Sequence, residues 1–296
     1  MGDVTAQANL AKMYINGDGV SQDYSEALKW LRKAASQNDA GAMYNLALCY
    51  EDGKGVSQDY HEAIKWYRNA AQAGSPESII NLGVLYYKGT GVQQDYPVAF
   101  QWFTNAAGLG MPVACEYIAA MYLKGDGVTP STNEAIKWYR EGAEKGSPWA
   151  QTELGVRYQR GDGVARDFME AIKWYAKATE QGYAQAQALL GSMYLNGWGG
   201  PTNLSKAFQL FRSSAEQGSV LGEEKAALCY IFGYGVSKDM VEGYKWLTLA
   251  AKEGDPTAAQ VQEELAKLLA PDDIAEGLRR VKAFTPNKKI FPGEPN

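Results

Sequence analysis

The sequence predicts an all-α solenoid of seven 36-residue helix pairs closed by a C-terminal capping helix pair. Three features of the 296-residue chain predict it. A Gly-x-Gly pair recurs at Gly17/Gly19, Gly53/Gly55, Gly89/Gly91, Gly125/Gly127, Gly161/Gly163, Gly197/Gly199 and Gly233/Gly235, every step being 36 residues. A tyrosine stands three residues before each pair, at Tyr14, Tyr50, Tyr86, Tyr122, Tyr158, Tyr194 and Tyr230. A tryptophan follows in the same phase at Trp30, Trp66, Trp102, Trp138, Trp174 and Trp246, with Leu210 the one substitute. A fixed period of roughly 20–50 residues marks stacked repeats, none of which can bury its apolar face alone.

Each element of the unit follows from its residues. In residues 5 to 37, Ala6, Leu10, Ala11 and Tyr14 fall on one face of a first helix, which the Gly17 to Val20 loop ends. The loop glycines are expected at positive φ or at a close backbone approach. Asp23 opens the second helix with Glu26 three residues on, an acidic variant of the capping box. Asp59/Glu62, Asp167/Glu170 and Asp239/Glu242 repeat it, and Ser131/Glu134 gives the standard form, so these carboxylates have structural work and are not acid–base pairs. Ala27, Trp30, Leu31, Ala34 and Ala35 form the inward face, where small alanines let helices approach and the tryptophan fills the remaining space. Lys29, Lys65, Lys137, Lys173 and Lys245 read as a solvated stripe.

The repeat array covers residues 1–256. Residues 257–284 depart from it: Gln262 and Ala266 replace the leucine and tyrosine, no glycine loop follows, and Pro271 starts an amphipathic helix bearing Ile274, Leu278, Val281 and Phe284. That is the expected form of a capping element. Residues 285–296, "TPNKKIFPGEPN", read as a disordered or loosely docked tail.

Composition narrows the function. The net charge of −5 gives no electrostatic footprint for nucleic acid or an anionic membrane and leaves a basic partner patch open. No run of about 18 apolar residues predicts a membrane span. Gly2 is in phase with the glycine that closes each repeat, so the start reads either as the end of a trimmed upstream unit or as an added Met-Gly. A periplasmic or secreted protein is expected if a leader has been removed, a cytoplasmic one otherwise. Cys49, Cys115 and Cys229 are too scattered for a disulfide framework and read as small core residues.

The chemistry of an enzyme is missing. The single histidine, His61, sits at the start of a second helix, no metal cluster can be assembled from it and three distant cysteines, and the glycine loops lack the preceding strand of a dinucleotide site. No cofactor and no metal are expected. A carboxylate-based hydrolase is the remote alternative.

The pattern A-x-x-x-L-G/A-x-x-Y-x-x-G-x-G-V-x-x-D-x-x-x-A-x-x-W-x-x-x-A-A-x-x-G, over residues 5 to about 256, resembles the Sel1-like repeat, a longer relative of the tetratricopeptide repeat. The resemblance implies a right-handed α-α superhelix and a role as adaptor or scaffold, without catalytic residues. Bacterial members of the family act at the cell envelope, in host contact or as partners that neutralise another protein such as a toxin. The chain lacks the paired cysteines of the disulfide-stapled branch.

By the same resemblance, the first helix of each pair lines a concave groove. The residues placed there are Tyr44, Leu48, Glu51 and Asp52; Ile80, Val84, Tyr87 and Lys88; Glu116, Leu123 and Lys124; Trp149, Thr152, Val156, Gln159 and Arg160; Leu195 and Asn196; and Glu224, Leu228, Ile231 and Phe232. A protein or peptide held by aromatic anchors is the expected ligand. The rebuilt sixth loop, "GWGGPTN", offers Trp198 as a separate contact. The competing reading is a scaffold that self-associates through convex or end surfaces; a monomer is the default.

Overall fold

The computed structural model describes residues 2–289 and 291. Of the expected tail, residues 290 and 292–296 lie outside the described residues. Among the described residues there are sixteen helices and no strand, and the chain divides into two compact units, residues 1–138 and 139–296.

The first unit holds α1 (Val4–Asn16) with α2 (Tyr24–Ala35), α3 (Ala40–Asp52) with α4 (Tyr60–Gln72), α5 (Pro76–Lys88) with α6 (Tyr96–Gly108), and α7 (Pro112–Lys124) with the start of α8 (Thr132–Glu144). The second holds the end of α8, then α9 (Pro148–Arg160) with α10 (Phe168–Glu180), α11 (Ala184–Asn196) with α12 (Leu204–Glu216), and α13 (Val220–Phe232) with α14 (Met240–Lys252). It closes with α15 (Pro256–Ala266) and α16 (Pro271–Ala283). This is the all-α solenoid that the period predicts.

The two loop glycines have different tasks. The first ends a helix in the left-handed conformation, as at Gly53, where φ is 69° and the amide donates to the Cys49 carbonyl. The second touches the preceding pair. Gly91 has φ 70°, and a Cβ there would lie 2.2 Å from the Cβ of Tyr60, the first residue of α4; at Gly55 it would lie 2.8 Å from the Cβ of Tyr24 in α2. At Gly55, Gly91, Gly127, Gly199 and Gly235 the loop thus presses its bare backbone onto the first turn of the preceding second helix.

The signature tyrosine anchors the other end of the loop. Its carbonyl accepts the amide of the residue that caps the next helix: Asp23 to Tyr14 at 3.0 Å, Asp59 to Tyr50 at 2.9 Å, Asp95 to Tyr86 at 3.0 Å, Ser131 to Tyr122 at 2.9 Å. The caps form as expected, the Asp59 carboxylate accepting from the amides of His61 and Glu62 at 2.9 and 3.1 Å. The reciprocal half of the capping box does not form. The Asp59 amide is already taken, and Glu62 instead turns outward to accept from Lys65 at 2.9 Å, as Glu170 does from Lys173 at 2.8 Å. Such exposed pairs contribute only a few tenths of a kcal/mol.

The core alternates small and large residues. Ala27, Leu31 and Ala34 are fully buried, as are Ala63, Tyr67 and Ala70 one repeat later. Half-buried Trp66 packs against the cluster around Leu46 and the one around Leu82, joining neighbouring pairs. In the second unit Tyr175, Phe211 and Leu247 fill the same role.

Two glycines separate conformation from contact. Gly91→Ala meets both a positive-φ cost of about 1–2 kcal/mol and the Tyr60 clash, whereas Gly74, with φ 97° and open space around it, meets only the first. Urea unfolding should rank Gly91→Ala well below Gly74→Ala in midpoint; equal losses would remove the loop contact from the account.

Candidate interaction surface

In the first unit the expected site residues fall into two small clusters. Half-buried Tyr44 lines an open cleft with Lys12, Asn45, Pro76 and Glu77, and its ring lies 5.9 Å from that of Tyr67. Beneath it the Tyr67 hydroxyl donates to Glu51 and accepts from Asn81 at 2.9 Å. Burial first, and the Glu51 carboxylate next, push the Tyr67 hydroxyl far up, so it stays a donor. The second cluster centres on Tyr87, whose hydroxyl donates to Asp126 at 2.6 Å and accepts from Lys124 at 3.3 Å. Lys88 is exposed and Glu116 half-buried. Leu48 and Val84 are half-buried against the core, and Ile80 is only 8% exposed. Ile80 is therefore a core residue, contrary to its expected place on an open face; it packs in the cluster of Phe103 and Ile118.

In the second unit Phe232 is 53% exposed and stacks on Tyr234, itself 41% exposed, with ring centres 5.6 Å apart. Ile231 is half-buried. Gln159 accepts from the buried Tyr175 hydroxyl at 2.6 Å, and Arg160 is exposed. Thr152 does not reach the surface: it is 1% exposed, with its hydroxyl folded back onto the Pro148 carbonyl at 2.7 Å. Trp198 is 39% exposed and lies flat on Phe168, walling a cleft with Met169, Ile172 and Pro201.

Half-buried Trp149 packs against the cluster of Ala178, Tyr183 and Ala186, and so does the chain's own end. That end returns along the turns that join successive pairs, and Phe291 lies edge-on to Tyr183 at 5.2 Å. The Asn287 amide donates to the Glu216 carbonyl at 2.9 Å, and Lys289 Nζ donates to the Gln181 carbonyl at 3.2 Å. Lys288 closes a cleft over Glu223 and Glu253. Glu223 is only 2% exposed, and among the described residues its Oε2 has no hydrogen-bond partner. Burial, then the charge of Glu253, pushes its carboxyl up to about 7 against the opposing pull of Lys288 and Lys245. Tyr183, Glu223 and the tail were absent from the sequence-derived site. The available signal was Tyr183 itself, which stands where Asp39, Ser75 and Ser147 cap their helices and makes no side-chain cap bond.

Among the described residues no three or more His, Cys, Asp or Glu side chains are grouped to hold a metal ion. Burial pushes the Cys49 and Cys229 thiols up to about 11, which keeps them protonated packing groups. Among the described residues no helix is long and apolar enough to cross a membrane.

Helix pairs that stack through glycine loops and carry their variable side chains on the first helix define an α-solenoid of the helix-pair repeat class. Within that class, the Sel1 repeat model matches residues 4–39, 40–75, 76–111, 112–147, 150–183, 184–219 and 221–255, and the chain belongs to the Sel1 repeat family. A Sel1 repeat protein from Oxalobacter formigenes is similar at 34% identity over 89% of this chain and 76% of that one, with a TM-score of 0.75. The protective antigen c5321 of uropathogenic Escherichia coli is similar at 25% identity over 96% of this chain and 76% of that one, with a TM-score of 0.56. Comparison with curated proteins gave no match. Sel1 repeat proteins are typically protein-interaction scaffolds.

Glu223 gives the surface a pH signature. Its folded carboxyl is pushed above the ordinary value of 4.5, so the folded state holds its proton more tightly, and stability is lost as pH rises from about 4.5 through about 7. At about 1.4 kcal/mol per tenfold change in proton affinity, the penalty at pH 8 is on the order of 3 kcal/mol. Glu223→Gln should raise the urea midpoint at pH 8 and leave it nearly unchanged at pH 4.5; parallel pH profiles for the two proteins would contradict the assignment.

Proposed function

We propose that the chain is an adaptor that holds one protein or peptide partner on the face formed by the first helices of its pairs, with Tyr44, Trp149 and Phe232 as aromatic anchors. The observation that carries this reading is the Phe232–Tyr234 stack, two aromatic rings that remain exposed on the surface. Aromatic side chains of this kind supply large contact area at low entropic cost and dominate binding energy where partners bury them. Tyr44 supports it from the first unit, because its ring borders an open cleft with charged Lys12 and Glu77 at the rim. The Tyr87–Asp126–Lys124 group offers a polar contact elsewhere in the same unit.

A second reading has its own observation. The stacked Trp198–Phe168 pair walls a loop cleft that needs none of the first-helix residues, so a partner could seat there instead.

One experiment separates them. The chain and a Tyr44→Ala, Trp149→Ala, Phe232→Ala variant of unchanged helical spectrum are used side by side as bait against lysate and envelope fractions. A partner retained by the first and lost by at least about tenfold on the second, as expected for hot-spot residues worth roughly 1.4 kcal/mol or more together, supports the first-helix face. Equal retention overturns it and moves the contact to Trp198, which Trp198→Ala then tests.

A further inference from the structure

The turns between helix pairs form a repeated ledge, and in the second unit part of it is filled. Each turn carries a positive-φ residue, Asn38 in the first and a glycine in the others. At Gly146 and Gly254 a Cβ would meet nothing within 4 Å, whereas at Gly182 it would meet Lys289 and at Gly218 it would meet Pro286 and Lys288. The occupant is chain in neither helix nor strand, held among the described residues by the Asn287 amide and by the Lys289 ammonium on the Gln181 carbonyl, and it crosses two consecutive turns before Phe291 reaches Tyr183.

The ledge has been altered at the point where the lysine lies. In other repeats a buried glutamine near the start of the first helix accepts from a glutamine just after the second: Gln37 donates to Gln7 at 3.0 Å, Gln181 to Gln151 at 2.9 Å, and Gln217 to Gln187 at 2.9 Å. One repeat beyond the last of these, Glu223 and Glu253 stand at the same two positions. A self-satisfied amide pair is thereby replaced by two carboxyl groups that cannot satisfy one another when ionised, one of them buried and with an unpartnered oxygen. Such a pair calls for an external cation. Lys288 lines the same cleft as both. At the far end, Tyr183 makes no side-chain cap bond and receives an aromatic ring edge-on.

We propose that this ledge is a recognition track for an extended basic segment that brings a lysine to Glu223 and Glu253 and an aromatic ring to Tyr183, and that residues 286–289 and 291 occupy it in cis until a partner segment of the same chemistry displaces them. The proposal deepens the scaffold reading by naming the partner's chemistry, but it needs none of Tyr44, Trp149 and Phe232, so the two readings fail separately. The chain's net charge of −5 favours such a basic ligand.

The test uses the full chain and a fluorescein-labelled peptide with the sequence of residues 284–291, FTPNKKIF, followed by anisotropy. A tethered tail competes at an effective concentration in the millimolar range, so the vacated variant Lys288→Ala, Lys289→Ala, Phe291→Ala should bind the peptide at least about tenfold more tightly than the unaltered chain. Adding Glu223→Gln or Tyr183→Ala to the vacated variant should weaken binding by about tenfold or more with an unchanged helical spectrum, and adding Tyr44→Ala should change nothing. Absence of binding to the vacated variant at millimolar peptide overturns the proposal, as does equal binding after either added substitution. A dimeric unaltered chain whose vacated variant sediments as a monomer would assign the occupant to a second copy and overturn the cis arrangement.

Discussion

The second loop glycine, at Gly55, Gly91, Gly127, Gly199 and Gly235, makes the contact on which the architecture rests. With φ near 70° and no Cβ, it lets the loop of one pair lie against the first turn of the preceding second helix, a distance that no other residue permits at Gly91 or Gly55. The period of 36 residues is the length of chain needed to leave that contact, run two 13-residue helices and return to the next one. The tyrosine carbonyl that holds each capping amide and the half-buried tryptophan that joins neighbouring clusters are fitted to the spacing so fixed.

A scaffold tied at its loops leaves two kinds of surface free to vary. The first helices present side chains between their core positions, and there the chain carries the Tyr44 cleft in one unit and the Phe232–Tyr234 stack in the other. The turns between pairs present backbone carbonyls, open glycines and the helix-capping positions, a surface suited to an extended segment rather than a helix. The exchange of Gln–Gln for Glu–Glu at the end of the series gives that ledge a charge preference at a stability cost borne at neutral pH.

Much of this was legible in the residues because repetition supplies its own control. A glycine, tyrosine or aspartate that recurs every 36 positions is explained by the fold, and Tyr44, Trp149 and Phe232 stood out as large groups where the fold asks for none. The failures have local causes. Ile80 and Thr152 occupy the same kind of position, but one is absorbed into the cluster of Phe103 and the other satisfies its hydroxyl on its own helix, choices that spacing alone does not reveal. Glu62 and Glu170 leave the capping box because the tyrosine carbonyl takes the amide they would have accepted from, a bond between residues nine apart. The tail has no period, and its place depends on Gln181, Glu216 and Tyr183, far away in sequence.

Whether the inter-pair ledge binds extended chain is read directly by amide hydrogen exchange at Asn287, since among the described residues that amide is the tail's main-chain donor to the array. The structure predicts exchange slowed well below that of an unstructured peptide of the same sequence, and restored to the unstructured rate when Phe291→Ala and Lys289→Ala release the segment. Exchange at the unstructured rate in the unaltered chain would mean that the tail does not dock, and the ledge would lose its claim to be a binding surface.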